Sequence, residues 1–291
     1  MLRKRLKMKK QLKIGDIYLD FTYSYSDYFK DALNQYETLY DNKDKYFLEV
    51  LVVDSLIEKT KLNSFVYKNR IKYSDDLETT IVTRFPNGNL KHIITYSNDF
   101  RFIRIELSCD LGKRLAEYEY VLSGMMFFEI ALRNKYLPIH ASAIKVKNQA
   151  ILFSGPSKSG KSTQTKYFLS VDNDLEIINE DKPLIKIINN EAFVFGSPWS
   201  GKDVLNKNIK VRLRGIFFLN KKIFTSIIKV DDVDRIKVLM KNVHRPGDEV
   251  NINNMVEVLN NIIDTTNLYV YNCENNINSS LALKKFLEEN I

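Results

Sequence analysis

Cysteine is nearly absent: Cys109 and Cys273 stand far apart, outside any paired motif. That excludes a disulfide framework and a thiolate zinc site, and reduced, unlinked thiols are expected. Long apolar runs are missing too. No segment approaches the ~18 residues needed to span a bilayer, and the amino-terminal stretch lacks the apolar core of a signal peptide, so a cytoplasmic location is expected. Internal repeats and low-complexity linkers are not found. Acidic residues are absent from residues 1–13, which hold Arg3, Lys4, Arg5, Lys7, Lys9, Lys10 and Lys13. These seven account for almost all of the formal net charge of +8, leaving 37 basic against 36 acidic residues elsewhere. With no broad basic face, no nucleic-acid partner is expected. The tail reads as a solvated, disordered end, with contact to a membrane surface or polyanion as the alternative.

What is present is ordinary globular material, 44% hydrophobic and 27% charged over 291 residues. Residues 14–112 read as a β-rich accessory domain. Strands are expected over Ile14 to Tyr25 and Phe47 to Val53, a hairpin joins Thr79 to Arg84 and His92 to Tyr96 around Pro86-Asn87-Gly88, and Phe102 to Leu107 alternates. Its tyrosines suit sheet packing rather than base stacking, because interleaved basic residues are sparse. Residues 113–291 read as a second domain entered by a helix, with Val121, Met125, Phe128 and Leu132 along one face. Ile139 to Val146 and Gln149 to Ser154 follow as strands, joined by a turn at Lys147-Asn148.

The second strand runs into Gly155-Pro156-Ser157-Lys158-Ser159-Gly160-Lys161-Ser162-Thr163, a full match to G-x-x-x-x-G-K-[ST]. Gly155 and Gly160 permit backbone angles that turn successive amides inward onto phosphate oxygens. Lys161 supplies a point charge near the β and γ phosphates, and Ser162 a hard oxygen ligand for Mg²⁺. The following helix directs its positive dipole end at the anion. ATP with Mg²⁺ is therefore the expected ligand.

Carboxylates decide what such a loop is for. Leu175 to Asn179 reads as a strand ending in Glu180-Asp181, before Pro183. One carboxylate of such a pair can hold the metal and the other can take a proton from an attacking hydroxyl. Asp181 is assigned to the metal and Glu180 to the base, with the reverse left open. His140 is a candidate partner on the strand leading back to the loop; a satisfied structural histidine is the alternative. Arg212 and Arg214 precede the apolar run Gly215 to Leu219. An arginine there could stabilise a transferring phosphoryl group, or lie at a solvated strand edge. Gly196-Ser197-Pro198-Trp199-Ser200-Gly201-Lys202 is a second glycine-containing loop, suited to closing over substrate or to packing its tryptophan. His244-Arg245-Pro246-Gly247 is a loop whose side chains could reach the site. Helices are expected over Val250 to Ile263 and Ser279 to Ile291, with a short strand at Leu268 to Tyr271.

As a set, His140-Ala141-Ser142-Ala143, the glycine loop, Glu180-Asp181 and Arg214-Gly215 resemble, in order, the catalytic domain of the HPr kinase/phosphorylase family. The Ser-Pro-Trp-Ser-Gly-Lys segment is similar to a divergent branch of that family. The resemblance covers about 80 residues. It implies an α/β (α+β) fold of the phosphoenolpyruvate carboxykinase type, with a P-loop on a mixed sheet flanked by helices and a smaller β-rich region before it. It also implies an ATP-dependent kinase with Glu180 as base, His140 as its partner, Arg214 at the phosphoryl group, and Ser162 and Asp181 on Mg²⁺. The family's usual base is aspartate, so Glu180 departs from it by one methylene. The expected acceptor is a hydroxyl, serine or threonine, of a peptide or small protein. A nucleotide-binding regulator with little turnover and a small-molecule kinase are the alternatives, and a homo-oligomer is left open. Carboxykinase chemistry ranks lowest, because its additional metal-ligating histidine and lysine have no place here.

Overall fold

The computed structural model describes residues 7–25, 28–29, 31–41, 44–60, 63–201 and 205–290. The chain divides into two compact units, Met1–Arg133 and Asn134–Ile291, and combines two sheets with several helices in a mixed α/β arrangement.

The first unit is built on strands β1 (Met8–Ile14), β2 (Ile17–Tyr23), β3 (Tyr46–Val53), β4 (Asn63–Tyr67), β5 (Arg70–Ser74), β6 (Glu78–Arg84), β7 (Leu90–Ser97) and β8 (Phe102–Ser108). They form one sheet in the order β1-β2-β3-β8-β7-β6-β5-β4. Two pairings, β2 with β3 and β3 with β8, are parallel; the others are antiparallel. β2 shows how sequence sets the layer: Ile17, Leu19, Phe21 and Tyr23 are buried and the residues between them half-buried, the period of two of a half-covered strand. Helix α1 (Leu115–Arg133) packs on β3 and β8. Its buried Glu119 accepts hydrogen bonds from the amides of Ser24 (2.6 Å) and Tyr25 (2.7 Å), which answers the cost of burying a carboxylate.

Three expectations change here. The basic tail is not disordered throughout: Met8–Ile14 pairs residue for residue with β2, turning at Gly15 (φ +62°). Lys10 pairs with Glu37, and Lys7 with Glu49. The lysines had hidden the buried Leu12 between them, and the single strand expected from Ile14 to Tyr25 is mostly the second arm of this hairpin. Arg3, Lys4 and Arg5 lie outside the described residues. Second, α1 belongs to the first unit, so the boundary falls after Arg133 rather than before Lys113. Third, Phe128 and Leu132 are buried, but Val121 and Met125 are exposed while Leu122 and Met126 are buried. A helix apolar on most sides offers more than one seam, and periodicity alone picks among them poorly.

The second unit contains β9 (Leu137–Pro138), β10 (Ala141–Val146), β11 (Gln149–Ser154), α2 (Lys161–Ser170), β12 (Leu175–Asn179), β13 (Leu184–Ile188), β14 (Glu191–Phe195), β15 (Lys210–Lys221), β16 (Ser226–Lys229), α3 (Arg235–Met240), α4 (Glu249–Thr265), β17 (Asn267–Cys273) and α5 (Ile277–Asn290). Its sheet runs β12-β10-β11-β15-β14-β13-β9. β15 forks it: its first residues pair with β14, and Gly215 to Lys221 pair with β17, which also holds β16. The β13–β14 hairpin turns at Asn189 and Asn190, both at positive φ (51° and 60°), as a two-residue primed turn requires. Phe153, Phe217 and Tyr271 of the central strands pack with Phe168 of α2 and Leu283 of α5 in one core. Among the described residues, no helix is long and apolar enough to cross a membrane.

Candidate active site at the glycine loop

β11 is a core strand, buried from Ala150 to Ser154, whose carboxyl end opens directly into the loop. Gly155 leaves it at φ +157°, where an added Cβ would lie 2.7 Å from Ser159 Oγ and 3.1 Å from its Cβ, so a larger residue would displace Ser159. Lys158 (φ +66°) and Gly160 (φ +98°) complete the turn, which Ser159 N closes onto Pro156 O at 3.2 Å. Gly160 caps α2 without a side chain to offer its first-turn amides. Lys161 is only 8% exposed, and its ammonium curls back to donate to the carbonyls of Gly155 (2.9 Å) and Pro156 (3.1 Å). Burial pushes its pKa down to about 8, with Asp181 opposing the shift and Lys182 adding to it. A desolvated cation beside a loop of this shape is well matched to an anionic ligand.

Strand directions explain which residues meet it. β10 is antiparallel to β11, and β12 is antiparallel to β10, so β12 points the same way as β11 and delivers Glu180 and Asp181 to the loop's end of the sheet. β12 is one strand removed from β11 rather than adjacent to it. The acidic turn is held by Asn179, whose Oδ1 accepts from the amides of Asp181 (3.0 Å) and Lys182 (2.7 Å). The Asn179 Nδ2 donates to Ser197 O (2.9 Å), and Ser197 Oγ donates to Lys182 O (2.8 Å). This buried pin ties the acidic turn to the tryptophan loop. Asn179 was not singled out from sequence, and Ser197 only as a member of the tryptophan loop; an asparagine just before an acidic pair, placed to form an Asx turn, was the available signal.

His140 follows β9 and just precedes β10. Its carbonyl accepts from Ser154 Oγ (3.1 Å) and its amide donates to Asn242 O (2.7 Å). Its Nε2 lies 3.2 Å from Asp181 Oδ1, so the histidine's carboxylate partner is Asp181 and not the expected Glu180. Lys182 Nζ stands 3.6 Å from the same oxygen. Burial raises the Asp181 pKa, but the His140 hydrogen bond and the charges of Lys182, His140 and Lys161 outweigh it, so the carboxyl lies below its ordinary value. Glu180 is fixed through its backbone, its carbonyl accepting from Ser142 Oγ at 3.0 Å.

These groups open on one cleft of about 650 Å³, lined by Ser157, Lys158 and Gly160 to Thr163 of the loop and helix, by His140, Glu180 and Asp181, and by Ser200, Gly201 and Lys221. The tryptophan loop thus contributes to the cleft, while Trp199 itself is buried packing. Lys202 lies outside the described residues. Gly155, Pro156 and Ser159 shape the loop without lining the cleft.

Arg214 is not at this site. It aligns with the amino-terminal end of β11, between the registers of Ala150 and Ile151, and lines a different hollow with Lys147, Asp172 and Lys284. It is seven residues from Lys221 along β15, about 23 Å at ~3.3 Å per residue. Arg212 pairs at 2.7 Å with Glu191, both side chains being exposed. The cationic residue that β15 brings to the loop is Lys221 at its carboxyl end: a Cβ on Gly160 would sit 3.1 Å from Lys221 Cε. The signal for it was a lysine just beyond the apolar run, on a strand parallel to β11. His244 and Arg245 are not among the cleft residues; the His244 amide instead donates to Pro138 O.

No three acidic, histidine or cysteine side chains cluster as a metal cage among the described residues. A magnesium ion shared with phosphate oxygens needs less: one hydroxyl, one carboxylate and water. Ser162, exposed on the first turn of α2, and the carboxylates across the cleft fit that donor set.

No protein-family model matches the chain. No curated protein matches it either. Among solved structures it is similar to the HPr(Ser) kinase/phosphatase from Coxiella burnetii, with 12% identity over 52% of this chain and 94% of that one and a TM-score of 0.33. A likeness of that size is a distant structural relationship and carries no residue roles.

Proposed function

We propose that the cleft binds ATP with Mg²⁺ and transfers the γ-phosphoryl group to a hydroxyl, that of serine or threonine in a peptide or small protein. The observation that carries this reading is the buried Lys161 facing the His140–Asp181 pair across one cleft. Lys161 exchanges the carbonyls of Gly155 and Pro156 for phosphate oxygens, recovering charge-assisted hydrogen bonds that neutral carbonyls supply only weakly. The loop amides and the start of α2 hold the remaining phosphates. Asp181 accepts the hydroxyl proton as the new O–P bond forms and the bond to the ADP oxygen breaks, and His140 orients the carboxylate. This reverses the assignment of the two acids expected from sequence: Glu180, with Ser162, is left to the metal. Mg²⁺, when bound, neutralises charge on the phosphate oxygens. Lys221 adds a cation where charge develops.

A second reading, a nucleotide-dependent regulator with little turnover, is favoured by the depressed pKa of Asp181, which makes it a weaker proton acceptor. Single-turnover assays with γ-labelled ATP and a panel of peptide, protein and small-molecule hydroxyl acceptors separate the readings. Acceptor-dependent ADP release that Asp181→Asn abolishes supports the kinase, and the productive acceptor shows whether it is a peptide or a small molecule. Tight ATP binding without such release across the panel supports the regulator. Absence of ATP binding removes both.

A further inference from the structure

A second, smaller recess of about 90 Å³ adjoins the cleft, and the two share Gly160, Thr163 and Lys221 as lining. Gln164, the next residue on α2, lines this recess and is 3% exposed. Its Nε2 donates to the Glu274 carbonyl at 2.7 Å, which fixes the orientation of the amide. Oε1 is thereby left as a buried acceptor with no hydrogen-bond partner among the described residues. A buried acceptor in that state is a standing cost that an incoming donor removes.

The other walls suit the edge of a flat ring. Lys221, the last residue of β15, and Lys222 just beyond it carry long aliphatic stems that can cover a planar face, while the Lys221 ammonium serves the shared cleft. The Cys273 thiol, on the neighbouring strand in register with Lys221, is held protonated, its pKa raised to about 11 by burial, so it brings no charge to the lining. A volume of 90 Å³ admits the edge of a heterocycle and leaves the rest of the ring outside, where sugar and phosphates continue to the shared residues.

We infer that this recess receives the nucleobase and that Gln164 Oε1 accepts a hydrogen bond from its exocyclic amine, selecting adenine over purines that present a 6-oxo group. The inference rests on the nucleotide-binding reading and adds to it a residue that sets base preference. A 6-oxo oxygen would face the Gln164 oxygen acceptor to acceptor and leave it unpaired.

Calorimetric titration of the full chain, in magnesium buffer, with ATP, GTP, ITP, purine riboside triphosphate and inorganic tripolyphosphate tests it. ATP is expected to bind about tenfold more tightly than ITP and GTP, the scale of one buried hydrogen bond gained against one left unmade. Purine riboside triphosphate, which lacks the amine without adding an oxygen, should fall between. Gln164→Met, of similar length but without an acceptor, should bring the ATP to ITP ratio to about one. Equal binding of ATP and ITP by the unaltered protein overturns the inference while leaving the phosphate site intact. Failure of every nucleotide and of tripolyphosphate to bind overturns both. The ligand series on the unaltered chain decides the matter even if the variant does not fold.

Discussion

His92 in the first unit and Lys161 in the second are both buried basic side chains, and burial lowers the pKa of each, to about 4 and about 8. His92 sits on β7 against Tyr118 of α1, its Nδ1 has no hydrogen-bond partner among the described residues, and its charged neighbours Lys91 and Arg70 share its sign. It is kept neutral and sealed. Lys161 keeps two carbonyl acceptors, has Asp181 as an opposing charge, and lines an open cleft. A perturbed pKa therefore marks a candidate site only where the perturbed group can be reached and where counter-charge is arranged around it. The first unit hides a titratable group; the second holds one ready.

The largest test of that contrast is Asp181→Asn. Turnover should fall about a thousandfold, within the range of lost general-base catalysis, with ATP affinity changed only a few-fold. If Glu180→Gln has that effect instead, the base is the glutamate expected from sequence. Lys161→Met comes next: ATP affinity should drop ~10- to 100-fold, as for lost hydrogen bonds to charge, while the ligand-free protein becomes more stable. Because the folded-state pKa of Lys161 lies below its unfolded value, the unaltered protein carries its full penalty below pH 8, a few kcal/mol at ~1.4 per unit. Denaturant titrations should show the gap between variant and unaltered chain closing as pH rises from about 8 to 10.5.

His92 provides the counterpart in the first unit. Its depressed pKa means that the unfolded chain takes up the proton first, so stability should fall as pH drops from 6.5 towards 4, by up to ~1.4 kcal/mol per unit. His92→Leu should flatten that slope, read by urea titration, with ATP binding unchanged. The smallest expected effect is at Arg214, where Arg214→Ala should leave phosphoryl transfer within about twofold, since its place on β15 is remote from the loop.

What sequence made legible was local. The strand, glycine loop and helix from Gln149 to Ser170 lie within one continuous segment whose composition forces each step, and the observed β11 and α2 follow it closely. The hairpin of β6 and β7 was readable from Pro86-Asn87-Gly88, and α4 from its amphipathic period. What failed depended on pairing between distant segments. Arg214 and Lys221 lie on one strand, and only the parallel register with β11 shows that the later residue meets the loop. Likewise, two adjacent carboxylates point differently after an Asx turn, so their order in sequence could not say which reaches His140. The Asn189-Asn190 turn was a local signal left unused.

Gly201 carries a consequence for inheritance. It sits at φ +92°, and a Cβ there would come within 3.3 Å of the Asp181 Cβ. Drift at this one position is thereby coupled to the acid across the cleft: a lineage that replaced the glycine would strain its own backbone and push the Asp181 side chain by a few tenths of an ångström. Descendants that keep the acid in place should then keep the glycine, a pattern detectable in genomes before any assay is run.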